Sequence, residues 1–300
     1  MKMQIRVGSR ESALAVAQSR LVMEEIKRTV SGAELSLLTM KTTGDKILDR
    51  SLEQIGGKGL FVKELDRALR EGRCDLAVHS LKDMPMEESE ELPILAYSKR
   101  EDRRDVLVLR KGLSSLPPYP VIGTSSRRRR LQAGILFPGA RFEMCRGNLA
   151  TRLQKLDSGA FDALILAAAG LKRIGYADRI SRYFTVEEMI PAAGQGILAV
   201  QGRAGENAFV LEAVDCPASR VMAKAERAFV RAVGGGCSSP AAAAAVLSAG
   251  DLPGDRSMTL FGLYYEEETG RWRTGSLEGA WEEAEELGRR LAALLSRDDG

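Results

Sequence analysis

One recurring unit limits this chain most: a short apolar run, a polar or glycine-bearing turn at its end, then a stretch with helical spacing. Residues 4–7 put Ile5 and Val7 on one face, Gly8-Ser9-Arg10-Glu11-Ser12 turns the chain, and a helix follows with Leu14, Ala17 and Leu21 on one side. Residues 35–40 read as a second strand, ahead of Lys41-Thr42-Thr43-Gly44-Asp45. Leu76-Ala77-Val78 is a third, wholly apolar, ending in His79-Ser80-Leu81-Lys82-Asp83. Between the second and third lies a helix with Phe61, Leu65 and Leu69 on one face. The glycine-bearing segment before it, 47–59, reads either as a mobile lid or as an ordinary surface loop. Such alternation predicts a mainly parallel sheet with right-handed crossovers and ligands beyond the carboxyl ends of the strands. Arg10, Ser12, residues 42–45, Lys82 and Asp83 are then expected together.

The unit repeats in residues 106–109, 121–123, 142–145 and 163–168, which deliver a more basic set of turns. A second lobe follows, joined to the first through 97–105 and 190–196, and residues 197–200 are expected to return to the first sheet. Two connections between two lobes imply a hinged cleft like that of solute-binding proteins, an analogy of fold and not of function. The expected architecture is therefore α/β: two solute-binding-protein-like lobes with mainly parallel sheets flanking a cleft, plus a small C-terminal α+β domain. That last domain combines a helix over 223–233, antiparallel strands over 258–265 and 272–276, and a closing amphipathic helix over 281–295. The expected boundaries are 1–98 with 195–214 for the first lobe, 99–194 for the second and 217–300 for the third unit.

The densest chemical signal is Gly123-Thr124-Ser125-Ser126-Arg127-Arg128-Arg129-Arg130. A strand, a small-residue loop and a helix start bring backbone N–H groups, hydroxyls and the positive helix end toward an anion, and arginine adds planar forks for oxyanions. A solvated basic face or a nucleic-acid contact is the alternative. Lys plus Arg number 44 against 41 Asp plus Glu, so the arginines are a local concentration rather than part of a generally basic surface, and a small anion is the expected partner. The N-terminus has no apolar h-region and no apolar run reaches membrane-spanning length, so the reading is cytoplasmic, without membrane. Cys74, Cys145, Cys216 and Cys237 are widely spaced and the chain has one histidine, which suggests neither a zinc site nor a disulfide framework. Gly234-Gly235-Gly236 leave Cys237 sterically accessible, although a lone cysteine is more often inert.

His79-Ser80-Leu81-Lys82-Asp83-Met84-Pro85, Gly123-Thr124-Ser125-Ser126 with its arginines, Arg146-Gly147-Asn148, Ala192-Ala193-Gly194-Gln195-Gly196, Ala225-Glu226-Arg227-Ala228-Phe229 and Gly235-Gly236-Cys237 occur in this order. Together they resemble the porphobilinogen deaminase (hydroxymethylbilane synthase) family from Arg6 to about Pro240. The resemblance implies a transferase of tetrapyrrole biosynthesis. It would join four porphobilinogens head to tail with release of ammonia, on a covalent dipyrromethane primer, and release linear hydroxymethylbilane by hydrolysis. It implies a thioether between that cofactor and Cys237, and Asp83 as the catalytic carboxylate. Loss of ammonia leaves an azafulvene cation, which a carboxylate near the ring nitrogens stabilises.

Each pyrrole carries an acetate and a propionate, so the growing chain calls for fixed cations. The resemblance assigns cofactor binding to Lys82, Asp83, Thr124, Ser125, Ser126, Arg128, Arg129 and Arg173. It assigns substrate binding to Arg10, Ser12, Arg146, Asn148, Arg152 and Gln195, with no metal. Alternatives stay open at several of these positions: a cap or salt bridge for Asp83, a helix cap for Ser12, a hinge role for Gln195. His79 is taken as structural. Glu11 and Asp45 are candidates for contacts between the lobes. Departures from the family pattern are Arg127 where leucine is usual, Gln54 for lysine, Gln201 for glutamate and the run Ala241–Ala245. The expected partners are porphobilinogen and the polypyrrole chain, with no nucleic acid, and the expected state is a monomer. An anion-binding protein and a nucleic-acid binder are the competing classes; the latter would lose affinity steeply with salt.

Overall fold

The computed structural model describes residues 3–43, 62–236, 239–248 and 256–297. The expected lid, with Asp45 and Gln54, and the cofactor cysteine, Cys237, lie outside these residues.

The first sheet contains β1 (Met3–Arg10), β2 (Ala33–Met40), β3 (Leu76–Ser80), β4 (Ile94–Tyr97) and β10 (Leu198–Gly202), in the order β2-β1-β3-β10-β4. The second contains β5 (Asp105–Leu109), β6 (Val121–Gly123), β7 (Arg141–Glu143), β8 (Ala163–Ala167) and β9 (Arg182–Tyr183), in the order β7-β6-β8-β5-β9. Four strands of each sheet run one way, and the fifth, β10 or β5, is antiparallel to both of its neighbours. Those two strands follow the two crossings between the lobes. Residues 197–200 return to the first sheet as the sequence leads one to expect. The crossings are bonded to each other, Ser98 N to Leu198 O at 2.9 Å and Glu101 N to Gly196 O at 3.1 Å.

Helices α1 (Ala13–Thr29), α2 (Lys63–Arg70), α3 (Arg127–Leu136), α4 (Leu149–Asp157) and α5 (Ala168–Arg173) flank the two sheets. On α1 the buried face is Ala15, Gln18, Ser19, Val22, Met23 and Ile26. The expected stripe of Leu14, Ala17 and Leu21 is therefore one position out, and Leu21 is exposed. Small and polar side chains occupy part of this helix–sheet contact, so apolar spacing alone misplaces the face. Val7, Val22, Ile26, Leu76 and Val200 form the first core. Val106, Val108, Leu156, Leu164 and Leu166 form part of the second.

Beyond α6 (Phe209–Val214), which the sequence reading did not find, α7 (Pro217–Ala232) and α8 (Ala284–Leu295) pack on an antiparallel sheet. Its strands are β11 (Ala242–Leu247), β12 (Ser257–Tyr265) and β13 (Trp272–Ala280), in sequence order. Pro217 begins α7 at a position where a missing N–H costs nothing. Phe229, Leu260, Leu287 and Leu291 are fully buried between these layers. Truncating a buried phenylalanine of this kind costs about 3–5 kcal/mol.

Candidate active site

A cavity of about 520 Å3 lies beyond the carboxyl ends of the parallel strands, between the lobes. From the first lobe its wall takes Arg10 and Ser12 after β1, Lys41 after β2, and Ser80, Lys82 and Asp83 at and after β3. From the second it takes Arg129, Arg146, Asn148, Arg152 and Arg173, and from the crossing Gln195 and Gly196. Seven basic side chains line it against two carboxylates, Glu11 and Asp83. Leu14, Leu149, Ala167, Ala169 and Ile197 supply an apolar surface, so Leu14 lines the cavity rather than serving the expected helix face.

Asp83 ends a single 3-10 turn (Leu81–Asp83) after β3. Among the described residues its carboxylate has neither a hydrogen bond nor an ion pair, and it acts on Lys82 and Arg152 through its charge alone. Beside it, Lys82 Nζ donates to Gln195 Oε1 at 3.3 Å. Burial pushes the Lys82 ammonium down to about 8, although Asp83 nearby favours its charge. A cation held this way gains from an incoming carboxylate.

Gln195 is buried and also donates to Arg103 O at 2.8 Å and to Asp105 Oδ1 at 2.9 Å, so it joins the crossings to the cavity. Arg173 donates to Gly196 O at 2.6 Å, and burial lowers its pKa to about 10, which leaves it charged at neutral pH. Gly196 has φ +93°, and a Cβ there would lie 2.3 Å from Glu101 O, so only glycine lets the crossings approach this closely.

The arginine loop differs from expectation. Arg128 Nη1 donates to Asp105 Oδ2 at 2.6 Å and to Ile190 O at 2.7 Å. Arg129 donates to Asp105 Oδ1 through Nη2 at 2.8 Å and to Ile165 O through Nη1 at 3.1 Å. Arg129 reaches the cavity wall and Arg128 does not. Thr124, Ser125 and Ser126 are also off the wall. Thr124 Oγ1 accepts from Ser126 N, Ser125 Oγ donates to Cys145 O, and Ser126 Oγ caps α3 by accepting from Arg129 N. Backbone groups satisfy these hydroxyls, local ones for Thr124 and Ser126 as is usual at a helix start, and the distant Cys145 O for Ser125. Arg127 neither adds cation density to the cavity nor points to open solvent: it pairs bidentately with Glu267 at 2.8 Å and lies over the Tyr265 ring.

Ser12 and Asn148 line the cavity while capping α1 and α4, Ser12 Oγ accepting from Ala15 N and Asn148 Oδ1 from Thr151 N. Arg152 Nε donates to Gly147 O and Lys155 Nζ to Arg146 O, which fixes the turn that presents Arg146. His79 is buried and shares a 3.1 Å hydrogen bond with Gln201 Oε1 away from the cavity, in keeping with a structural role. Sequence reasoning missed Asp105, Arg100 and Glu226. Glu226 on α7 grips Arg100 at 2.6 and 2.7 Å and accepts from Gly194 N and Ala245 N. The available signal was an acid on the buried face of a helix. Among the described residues no cluster of His, Cys, Asp and Glu could hold a metal.

The family description "Porphobilinogen deaminase, dipyromethane cofactor binding domain" matches residues 5–210, and "Porphobilinogen deaminase, C-terminal domain" matches residues 221–297. The chain belongs to the porphobilinogen deaminase family. It is 51% identical over 291 residues to the porphobilinogen deaminase of Ruminiclostridium cellulolyticum, covering 97% of each chain. It is 48% identical over 297 residues to that of Alkaliphilus oremlandii, covering 99% of this chain and 98% of the relative. Among solved structures, the VFT2 domain of Bordetella pertussis BvgS is similar at 14% identity and a TM-score of 0.41 over 70% of this chain and 84% of that one, too remote to carry an argument. As a porphobilinogen deaminase the chain polymerises porphobilinogen into hydroxymethylbilane on a dipyrromethane cofactor. The lining fits such a group: a cationic wall that includes the desolvated Lys82 would hold its carboxylates, and Leu14, Leu149 and Ala169 would offer its rings an apolar surface.

Proposed function

We propose that porphobilinogen is added in this cavity, with Asp83 as the catalytic carboxylate and Cys237 as the cofactor's thioether site. The observation that carries the reading is Asp83: a carboxylate with no hydrogen bond or ion pair among the described residues, within the field of Lys82 and Arg152, in a wall otherwise dominated by cations. When bound, the dipyrromethane supplies the nucleophilic ring carbon to which the first substrate is joined. Asp83 stabilises positive charge near the ring nitrogens and moves protons as ammonia leaves. Lys82, Arg129 and Arg173 hold cofactor carboxylates, and Arg10, Ser12, Arg146, Asn148, Arg152 and Gln195 orient substrate. Arg128, Thr124, Ser125 and Ser126 act behind the wall, keeping Arg129 and the loop in place.

We take the units to be 1–98 with 195–214, 99–194 and 217–300, acting as a cytoplasmic monomer without nucleic acid or membrane. Arg127–Arg129 are engaged with Glu267 and Asp105 and so offer no free stripe to a phosphate backbone. Among the described residues no helix is long and apolar enough to cross a membrane.

The test is ammonia release from porphobilinogen. Asp83→Ala should keep its primer and lose on the order of 10²–10⁴ in turnover, whereas Cys237→Ala should carry no primer. Near-normal turnover in the first, or a normal primer in the second, overturns the assignments.

A further inference from the structure

We propose that Lys41, at the rim of the cavity, binds carboxylates of the later pyrroles of the growing chain, an inference that rests on the elongation reading above. Lys41 follows β2 directly, and Glu11 N donates to Met40 O at 3.1 Å, which sets Lys41 and Glu11 side by side at the carboxyl edge of the first sheet. Both line the cavity. Their ion pair is long, Nζ to Oε2 3.9 Å, and open to solvent, the side chains being 67% and 46% exposed. Among the described residues Lys41 has no other ion-pair partner.

The deeper cations are tied to the fold: Arg129 to Asp105 and Ile165 O, Arg152 to Gly147 O, Arg173 to Gly196 O. They form a fixed array suited to a fixed number of carboxylates. Each addition brings two more, and a chain that outgrows the array meets the rim. There an exposed ammonium in a long, weak pair can exchange Glu11 for a carboxylate of the chain at small cost. Glu11 is the carboxylate that the emerging chain would otherwise meet unscreened.

Lys41→Gln removes the charge, Lys41→Arg keeps it, and Glu11→Gln separates direct contact from simple masking of Glu11. Holoenzyme is given limiting porphobilinogen, and the covalent species are resolved by intact mass under denaturing conditions. With Lys41→Gln the later additions should slow relative to the first by about 2- to 5-fold, the size of one exposed charge contact, and Lys41→Arg should restore the ratio. In equilibrium binding, affinity for a linear tetrapyrrole octacarboxylate should fall by a similar factor, and by more than affinity for porphobilinogen. The effect should persist in Glu11→Gln. Equal slowing of all additions, no change in the ratio, or disappearance of the effect in Glu11→Gln overturns the role of Lys41. Wild-type protein that adds no porphobilinogen would instead overturn the elongation reading itself.

Discussion

Arg129 holds Oδ1 of Asp105 at 2.8 Å while Arg128 holds Oδ2 at 2.6 Å, so the first residue of β5 clamps the first turn of α3 from within the second lobe. Asp105 is fully buried. Burial alone would raise its pKa, but the two guanidiniums outweigh it and hold the carboxyl well below the usual carboxylate range.

Asp105→Asn leaves two guanidiniums buried without their counter-charge. The expected loss is about 3–5 kcal/mol of unfolding free energy, the cost of breaking a buried ionic cluster on one side. Urea unfolding measures it, and a loss under about 1 kcal/mol, the scale of an exposed pair, contradicts the assignment. The folded carboxyl titrates below the unfolded one. Its contribution is therefore complete above the unfolded range and is lost only as pH falls through the lower folded value.

Lys82 loses its proton at a lower pH than an exposed lysine. With its folded value at about 8 against the ordinary 10.5, the native form gives up its proton first as pH rises. The cost of burying the ammonium is present in full below pH 8 and is relieved between 8 and 10.5, so stability gains across that window. In protein kept free of cofactor, acetylation of Lys82 followed by peptide mass should rise through pH about 8, ahead of the exposed lysines. Acetylation in step with exposed lysines contradicts this.

His79 gives the cleanest titration because it is the one histidine in the chain. Burial depresses it from 6.5 to about 4, with the Gln201 bond working the other way and the charge of Arg10 adding to the depression. Between pH 6.5 and 4 the unfolded chain takes up a proton that the native one does not, so stability falls as pH drops through that window. Imidazole resonances should titrate near 4 in the wild type and higher in Gln201→Glu, which places a carboxylate against Nε2. A wild-type midpoint near 6.5 would sink this account of the pair.

Much of the fold was legible because short apolar strands ending in polar turns leave few arrangements other than parallel sheets. Arg10, Lys82 and Asp83 could be placed at the cavity from strand-end positions, whereas Arg146 and Arg152 were assigned to it by the family resemblance. What local sequence could not convey was competition between partners distant along the chain. Arg128 reads as a ligand fork until Asp105, 23 positions earlier, is seen to occupy it. Ser126 reads as an anion donor, yet its hydroxyl is taken by the helix it begins. Glu226 lies on the buried face of α7, but its role shows only when Arg100 and two backbone N–H groups from elsewhere converge on it. Leu14 has the spacing of a core residue but borders the cavity, since Gln18 and Ser19 take buried places on α1.

The most direct test of a covalent primer on Cys237, elongated beside Asp83, is the intact mass of the purified protein under denaturing conditions. The expected result is an excess over the sequence mass equal to two linked pyrrole units, mapped by peptide digestion to Cys237 and growing in pyrrole-sized steps when porphobilinogen is added. A chain at its calculated mass that stays there after incubation with porphobilinogen would contradict it.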